Sequence, residues 1–304
     1  MRSDIALLRV LHCIKHNNAR RRNSEFGMMQ VKVPLQSYVN QREPGADALV
    51  WRFLDIPKFR DLMANEELYF RRADRFKMDP NESVPPDDWI RESLGLRKFV
   101  LEDEMKLRAE KGSLAQFREC SYLSCWHLFE GEDPEMWKEF CPYGVAAVTR
   151  YELLRETLKD LIDPVHIGLA RYGYGRGERY NHFTFMYTKG REFQKEREVR
   201  ILMSCYDPAA GMNRHYDINN IPHERPLKEN RLHKWVADGK RRRIEVKPLV
   251  TGLVVSPWAN SRVFAEVKFW AKARGLECEP VRSGLRGKTL PSLRQLADLK
   301  RKRA

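Results

Sequence analysis

The stretch that most constrains the fold of this chain is Phe193–Met203, FQKEREVRILM. It begins as a dense run of charges and ends in strand-forming apolar residues. Because side chains alternate across a strand, Glu196, Glu198 and Arg200 would share one face, with Val199 on the other. Two interpretations follow: a polar site at the mouth of a buried strand, or an exposed strand end whose charges pair with one another, as charge runs usually do.

The composition indicates a folded protein in a reducing compartment. Of the 304 residues, 42% are hydrophobic and 11% aromatic, which is typical of a globular chain. No apolar run is long enough to cross a bilayer. The six cysteines are scattered without a CxxC pair, which favours free thiols. We therefore expect a cytoplasmic protein with no membrane association.

The net charge of +14 is concentrated at the two ends of the chain. Residues 1–27 carry six Lys/Arg and two acids, and residues 282–304 carry eight Lys/Arg and one acid. The part between them has a net charge of only +3. Basic ends can hold phosphates without sequence readout, and they are also common as solubilising ends. The first interpretation predicts a nucleic-acid or protein target that binds through the basic termini.

The patterns predict an α+β fold with a central mixed or split antiparallel sheet and flanking helices. We expect a weakly ordered basic leader at 1–45, a single α+β domain at 46–282 and a basic C-terminal tail at 283–304. A charged helical insertion occupies about 87–118. Other predicted elements include strands at Leu49–Leu54, Ser121–His127 and Leu249–Ser256, and a helix at Ser261–Arg274. Asp55 with Pro57 predicts a helix start after the first strand.

Two kinds of catalytic site find little support in the spacing. No HExxH motif and no Cys/His cluster is present, so no metal is expected. Cys125 and His127 would share a strand face, as a nucleophile and its base would. A cysteine is more often a small buried hydrophobe, and both interpretations stay open.

Polar residues within predicted strands are the third kind of candidate. Arg52 stands between Trp51 and Phe53. A buried arginine needs an anionic partner or a ligand. Tyr69 and Ser124 lie in two further predicted strands, where each alone could be a core residue with one hydrogen bond.

The motifs LYFRRADRF, DPNE, SCWH and EREVR, at 68–76, 79–82, 124–127 and 196–200, resemble a family of bacterial and phage-borne domains of unknown function. The resemblance covers roughly residues 49–282 and leaves both basic ends outside it. It implies a shared fold and no particular activity.

The layout also resembles the ADP-ribosyltransferase fold, which holds NAD in a cleft between two small antiparallel sheets. The resemblance implies that Arg52 contacts the NAD phosphates and that Tyr69 or Ser124 occupies the second position. Glu198, the last residue of a Glu-x-Glu pair with Glu196, would stabilise an oxocarbenium-like transition state. The Ser124-Cys-Trp sequence departs from the Ser-Thr-Ser motif of that class.

The resulting hypothesis is an NAD-dependent ADP-ribosyltransferase-like protein acting on a macromolecule, as a toxin or phage-defence effector. Its polar cleft would be formed by Arg52, Tyr69, Ser124 and Glu198, with Glu196 beside them. One alternative is a non-enzymatic nucleic-acid-binding or regulatory module. Another is a metal-dependent nuclease that uses the acids Asp74, Asp79, Glu82 and Glu198.

Overall fold

The structure is a computed structural model that describes residues 42–76, 79, 82–159, 161, 165–175, 182–204 and 238–285. It also describes the backbone of three short strands between 206 and 226. Most of the predicted leader and tail lies outside these residues. Among the described residues, no helix combines the length and apolar character needed to span a bilayer.

The element bounds follow the chain from Leu49 to Arg282. The strands are β1 (Leu49–Leu54), β2 (Glu67–Arg72), β3 (Ser121–Leu128), β4 (Val145–Arg150), β5 (Val165–Leu169), β6 (Arg171–Tyr172), β7 (Thr188–Lys189), β8 (Glu198–Ser204), β9 (Tyr206–Asp207), β10 (Met212–Tyr216), β11 (Pro222–Pro226), β12 (Gly239–Arg243), β13 (Gly252–Val255) and β14 (Val281–Arg282). The helices are α1 (Ile56–Asn65), α2 (Asp87–Leu94), α3 (Leu101–Glu119), α4 (Pro134–Phe140), α5 (Tyr151–Lys159), α6 (His182–Met186), α7 (Val246–Leu249) and α8 (Ser261–Ala273), with 3-10 turns at Ala73–Arg75 and Arg191–Glu196.

One large sheet organises the described chain. Its strand order is β12-β2-β3-β1-β4-β13-β14, and β8 and β5 continue from β3, giving nine strands. The pairings are antiparallel except for β13 with β14, which makes the sheet mixed. The predicted α+β class with a central mixed sheet and flanking helices is confirmed.

The sheet is split where β1 and β2 meet β3. Along one edge β3 pairs with β8 over its whole length. Along the other edge it pairs with β2 at Tyr122 and Leu123, and with β1 at His127 and Leu128. β1 and β2 therefore diverge beside the middle of β3, and a cleft opens between them.

Helices cover both faces of the sheet. On one face, α1, α5, α7 and α8 enclose the main core, which includes Val50, Trp126 and Ile201. On the other face, α2, α3 and α6 pack against Leu123 and Leu202 in a second core. The charged insertion at 87–118 is thus two helices, α2 and α3, lying over one face of the sheet.

Local sequence signals explain where α1 begins and ends. The Asp55 side chain accepts the Lys58 backbone N–H at 2.9 Å, and a proline follows in the first turn. Glu66 ends the helix in the left-handed conformation, with φ of 54°. The helix start predicted at Asp55 is confirmed.

Two predicted strands begin later than expected. Glu196 ends a 3-10 turn and Arg197 adopts a left-handed φ of 42°, so β8 starts at Glu198. The strand predicted at Leu249–Ser256 starts at Gly252 because Val246–Leu249 forms a short helix. Pro248 suits that helix, since its fixed φ is helical.

Candidate functional site

Arg52 and Glu198 lie on opposite faces of the sheet. Directly paired residues of antiparallel strands project to the same face. Trp51 pairs with His127, and His127 pairs with Glu198, so these three side chains share one face. Arg52 follows Trp51 along the strand and therefore projects to the other face. Its guanidinium lies 5.4 Å from the centre of the Trp126 ring, which belongs to the main core.

The single cleft predicted from Arg52, Tyr69, Ser124 and Glu198 is therefore not formed. The sequence correctly placed these residues on strands, but it did not give the register that decides their faces. Ser124 pairs with Ile201 of the main core and so shares the face of Arg52. Glu196 and Glu198 belong to a separate group of charges on the opposite face.

Arg52 is a half-buried cation without an acidic partner among the residues the structure describes. Its Nη2 donates to the Tyr69 carbonyl oxygen at 3.1 Å, a contact that bridges the split between β1 and β2. Its Nη1 is buried and has no hydrogen-bond partner in the described chain. Burial lowers the pKa of Arg52 to about 10, so the guanidinium stays charged at neutral pH.

The cleft beside Arg52 has a volume of about 220 Å³. Its lining comprises Arg52, Leu54, Lys58, Asp61, Leu62, Glu67, Tyr69 and Arg241. Lys58 forms an ion pair with Asp55, and Arg241 with Asp61. Arg52 is thus the lining cation whose charge the described residues leave unbalanced.

Two further buried polar groups lie on the same face of the sheet as Arg52. Ser124 Oγ and Trp126 Nε1 are buried, and neither has a hydrogen-bond partner within the described part of the chain. Each can donate a hydrogen bond, as the guanidinium of Arg52 does. Buried polar groups without partners are rare and need an explanation. Neither residue lines the cleft, so Ser124 and Trp126 lie behind its wall and Arg52 is the donor that faces a ligand.

Tyr69 lines the cleft and contacts Arg52 through its backbone. Its hydroxyl donates to the Asp238 carbonyl oxygen at 3.4 Å, and the Arg241 guanidinium lies 5.7 Å from its ring centre. Its carbonyl oxygen accepts the bond from Arg52. The structure thus places two of the three predicted ligand-binding residues, Arg52 and Tyr69, in the wall of one cleft.

On the other face, five charged side chains form a buried ion cluster: Glu82, Lys189, Glu196, Glu198 and Arg200. Arg200 binds both oxygens of Glu198, at 3.0 and 3.1 Å, and one oxygen of Glu82 at 2.6 Å. Lys189 Nζ lies 2.7 Å from Glu196 and 3.2 Å from Glu198. Of the charge run at 193–203, Glu196, Glu198 and Arg200 are therefore buried and bound by ion pairs, whereas Lys195 and Arg197 are exposed.

Three carboxyl groups share two cations in this cluster, and the pKa values of Glu196 and Glu198 shift in opposite directions. Burial raises the pKa of Glu196 to about 7, although Lys189 opposes the shift. Burial also acts to raise the pKa of Glu198, but the charges of Arg200 and Lys189 outweigh it and hold that pKa well below its usual value. Glu198 is thus a fixed anion, and Glu196 is the carboxyl group that can take up a proton near neutrality.

Cys125 and His127 share the face of the ion cluster, as the alternation predicted. Burial raises the pKa of the Cys125 thiol well above its usual value, which disfavours the thiolate that a nucleophile needs. Burial lowers the pKa of His127 to about 4. Its Nδ1 lies 3.0 Å from the Glu196 carbonyl oxygen, which can only accept, so the neutral ring carries its proton there. The pair is structural in this arrangement.

Three of the acids considered for a nuclease, Asp74, Asp79 and Glu82, lie near one cation, because the charge of each acts to raise the pKa of Arg118. Asp74 binds the buried Arg72 at 2.6 Å, while Glu82 and Glu198 bind the cations of the ion cluster. Within the described ranges, no group of three His, Cys, Asp or Glu side chains is arranged to hold a metal ion. The two carboxylates that do meet, Glu82 and Glu198, are already bound to Arg200.

Sequence reasoning missed several members of both sites. Lys189 lies in a two-residue strand that has no periodic signal. Arg241 reaches the cleft through the pairing of β12 with β2, a contact between residues far apart in the chain. A run of four cations at 240–243 was the available signal for this strand.

Comparison of the chain with protein-family models, with curated proteins and with solved structures found no significant match. The resemblances noted from the sequence therefore stay predictions, and the functional argument depends on the geometry of the cleft and the ion cluster.

Proposed function

We propose that this protein binds a phosphate-bearing nucleotide in the cleft between β1 and β2, with Arg52 as the phosphate-binding residue. NAD is the nucleotide that the resemblance to ADP-ribosyltransferases implies. The resemblance leads one to expect a cleft between two small antiparallel sheets with an arginine on the first strand; here the cleft lies at a split in one mixed sheet, and Arg52 is on its first strand.

The unpaired guanidinium of Arg52 carries the proposal. A charged group taken out of water costs several kcal/mol unless a partner compensates it, on the order of the penalties known for buried ions. Among the described residues, Arg52 has one carbonyl contact and an aromatic ring as its compensation. A phosphate oxygen would supply the missing charge and accept the free Nη1–H.

The size of the cleft limits which part of a ligand it can hold. Sites that enclose a whole drug-sized ligand measure roughly 300–1,000 Å³, and this cleft is smaller, at about 220 Å³. It therefore suits the phosphates and one sugar of a dinucleotide, with the remainder lying over the surface. Leu54 and Leu62 supply an apolar wall.

Transfer of ADP-ribose to a macromolecule is the reaction that the resemblance adds to this binding. Such a reaction needs a carboxylate near the ribose to stabilise positive charge. Glu198 does not line the cleft and is bound to Arg200. Of the acids that line the cleft, Asp61 is held by Arg241, whereas Glu67 lies 3.9 Å from that arginine. We therefore place Glu67 in that role and leave Glu198 to the ion cluster.

Calorimetric titration of the full chain with NAD, ADP-ribose and adenosine tests the proposal. We expect NAD and ADP-ribose to bind, adenosine to bind at least tenfold more weakly, and Arg52→Met to abolish the difference, since a charged hydrogen bond contributes about 1.5–3 kcal/mol. Arg282→Met is the matched control, because Arg282 also donates to a carbonyl oxygen and covers an aromatic ring. Unchanged binding by Arg52→Met, or equal binding of adenosine, would overturn the proposal.

Labelled NAD separates transfer from binding alone. If the protein is a transferase, label appears on a macromolecule and Glu67→Gln reduces it while nucleotide binding persists. Binding without any consumption of NAD would make this a regulatory module that senses the nucleotide.

A further inference from the structure

Between the two basic ends, the chain owes its net positive charge to one strand. Residues 28–281 have a net charge of +3, and Gly239–Arg243 (β12) contains four cations and no acid. Without β12 this region would be slightly acidic. The basic run is therefore a local feature of one sheet edge, since β12 ends the strand order of the large sheet.

The cations of β12 alternate between the two faces of the sheet. Lys240 and Arg242 are buried, and Lys240 Nζ lies 4.9 Å from the centre of the Tyr122 ring. Arg241 and Arg243 are exposed on the outer face. In the register of the two strands they lie opposite Tyr69 and Glu67 of β2. Two outward cations on alternate residues are spaced by about 6.7 Å along the strand.

Two arginines from β2 and the turn after it extend this surface, which we call the basic edge: Arg71, Arg75, Arg241 and Arg243. Arg71 Nε donates to the Arg75 carbonyl oxygen at 2.6 Å, and its guanidinium lies 5.8 Å from the centre of the Phe76 ring. Arg75 binds Asp238 at 3.1 Å. With Arg241 bound to Asp61, the cations without an acidic partner in the described chain are Arg71 and Arg243.

We propose that the basic edge binds single-stranded nucleic acid. A row of cations along a strand matches an anion whose charge repeats at regular intervals. The Tyr69 and Phe76 rings lie against the guanidinium groups of Arg241 and Arg71, and Phe76 also packs on the second core. The rings thus hold planar guanidinium groups on which unpaired bases can stack. An acidic protein surface would use the cations but would gain little from stacking.

The basic edge adjoins the nucleotide site, and Tyr69 and Arg241 border both. The two proposals can still be tested separately. Arg71 and Arg243 do not line the cleft, so replacing them tests the edge alone. We expect Arg71→Gln/Arg243→Gln to keep nucleotide binding and to lose affinity for nucleic acid. Failure of one proposal thus leaves the other standing.

The test is fluorescence anisotropy of the full chain with a labelled oligo(dT) of about 20 nucleotides, long enough for one single-strand site, at several salt concentrations. We expect Arg71→Gln/Arg243→Gln to weaken binding about tenfold and to reduce the salt slope by about 1.4, or roughly 0.7 for each lost phosphate contact. Arg262→Gln/Lys272→Gln, on the exposed side of α8, removes the same charge elsewhere and should change little.

Two results would overturn the proposal. If both double variants lose the same affinity for the oligonucleotide, binding depends on net charge and the basic ends and not on the basic edge. Displacement of the oligonucleotide by poly-glutamate at equal charge concentration would assign the edge to acidic proteins.

Discussion

Glu196 and Glu198 are two residues apart, yet their carboxyl groups differ in what they bind. Glu198 receives two bonds from Arg200, whereas Glu196 has Lys189 at 2.7 Å as its nearest cation. Lys189 also lies 3.2 Å from Glu198 and 3.6 Å from Glu82. One shared lysine cannot offset the burial of Glu196, which explains why its pKa rises to about 7.

This pKa makes stability depend on pH in a definite direction. A carboxyl group with a raised pKa in the folded state binds a proton more tightly there than in the unfolded chain. Its stabilising effect is full below the unfolded pKa of about 4.5 and is lost as pH rises through about 7. We expect the difference in unfolding free energy between the wild type and Glu196→Gln to fall across this window, by at most about 1.4 kcal/mol per pH unit.

Denaturant titration of both proteins at intervals between these pH values measures this difference. The comparison is needed because His127 acts in the opposite direction: its lowered pKa favours folding as pH rises through the same range. If the difference in unfolding free energy between the two proteins stays constant with pH, or grows as pH rises, the raised pKa of Glu196 is contradicted.

At the residue scale, the sequence indicates which side chains are unusual but not which residues they contact. Arg52 was recognisable because it interrupts an apolar strand, and the structure does place it beside a cleft. The pairing of Glu198 with Arg200 follows from their alternation within one strand. The contribution of Glu82 comes from a residue more than a hundred positions earlier, which no local pattern can reveal.

At the element scale, the position of β1 depends on the turn before β4. Gly144 precedes β4, and a Cβ atom there would collide with the Leu54 carbonyl oxygen, in the backbone at the end of β1. Leu54 is paired with Val145 of β4, so its carbonyl group cannot move away without disturbing the β1–β4 ladder. Gly144 is thus required by close packing, not by an unusual φ.

We expect Gly144→Ala to destabilise the fold by about 1–3 kcal/mol, the usual cost of overpacking. Gly112→Ala is the matched control, since Gly112 lies within α3 with open space around its Cα. That change should stabilise the protein by about 0.5–1 kcal/mol through helix propensity. Changes in unfolding free energy, relative to the wild type, that have the same sign for both variants would contradict this account of the turn.

Elements with strong local signals could be predicted from the sequence, and their arrangement could not. β1 and the start of α1 match the prediction because aromatic strand formers and an N-cap aspartate act over a few residues. The split of the sheet depends on where β1 and β2 pair along β3, and such register is set by contacts across the whole domain. The same register places the Arg52 and Glu198 side chains on opposite faces of the sheet.

At the scale of the whole molecule, the sheet separates two polar regions with different roles. The ion cluster lies under α2, α3 and α6 and holds β7, β8 and the segment before α2 together. The cleft on the other side is open and has an unbalanced cation. We therefore expect substitutions in the ion cluster to change stability first, and substitutions at Arg52 to change ligand binding first.

The central claim is that Arg52 is maintained for a ligand at a cost to the stability of the unliganded protein. The most direct test is the unfolding free energy of Arg52→Met in the absence of nucleotide, with Arg282→Met as the control. An apolar side chain removes a half-buried charge, so we predict a gain of about 1 kcal/mol, the low end of the range known for replacing fully buried ionic groups with hydrophobic ones. A loss of stability at Arg52 equal to or larger than that of the control would show that the arginine is structural and would contradict the account.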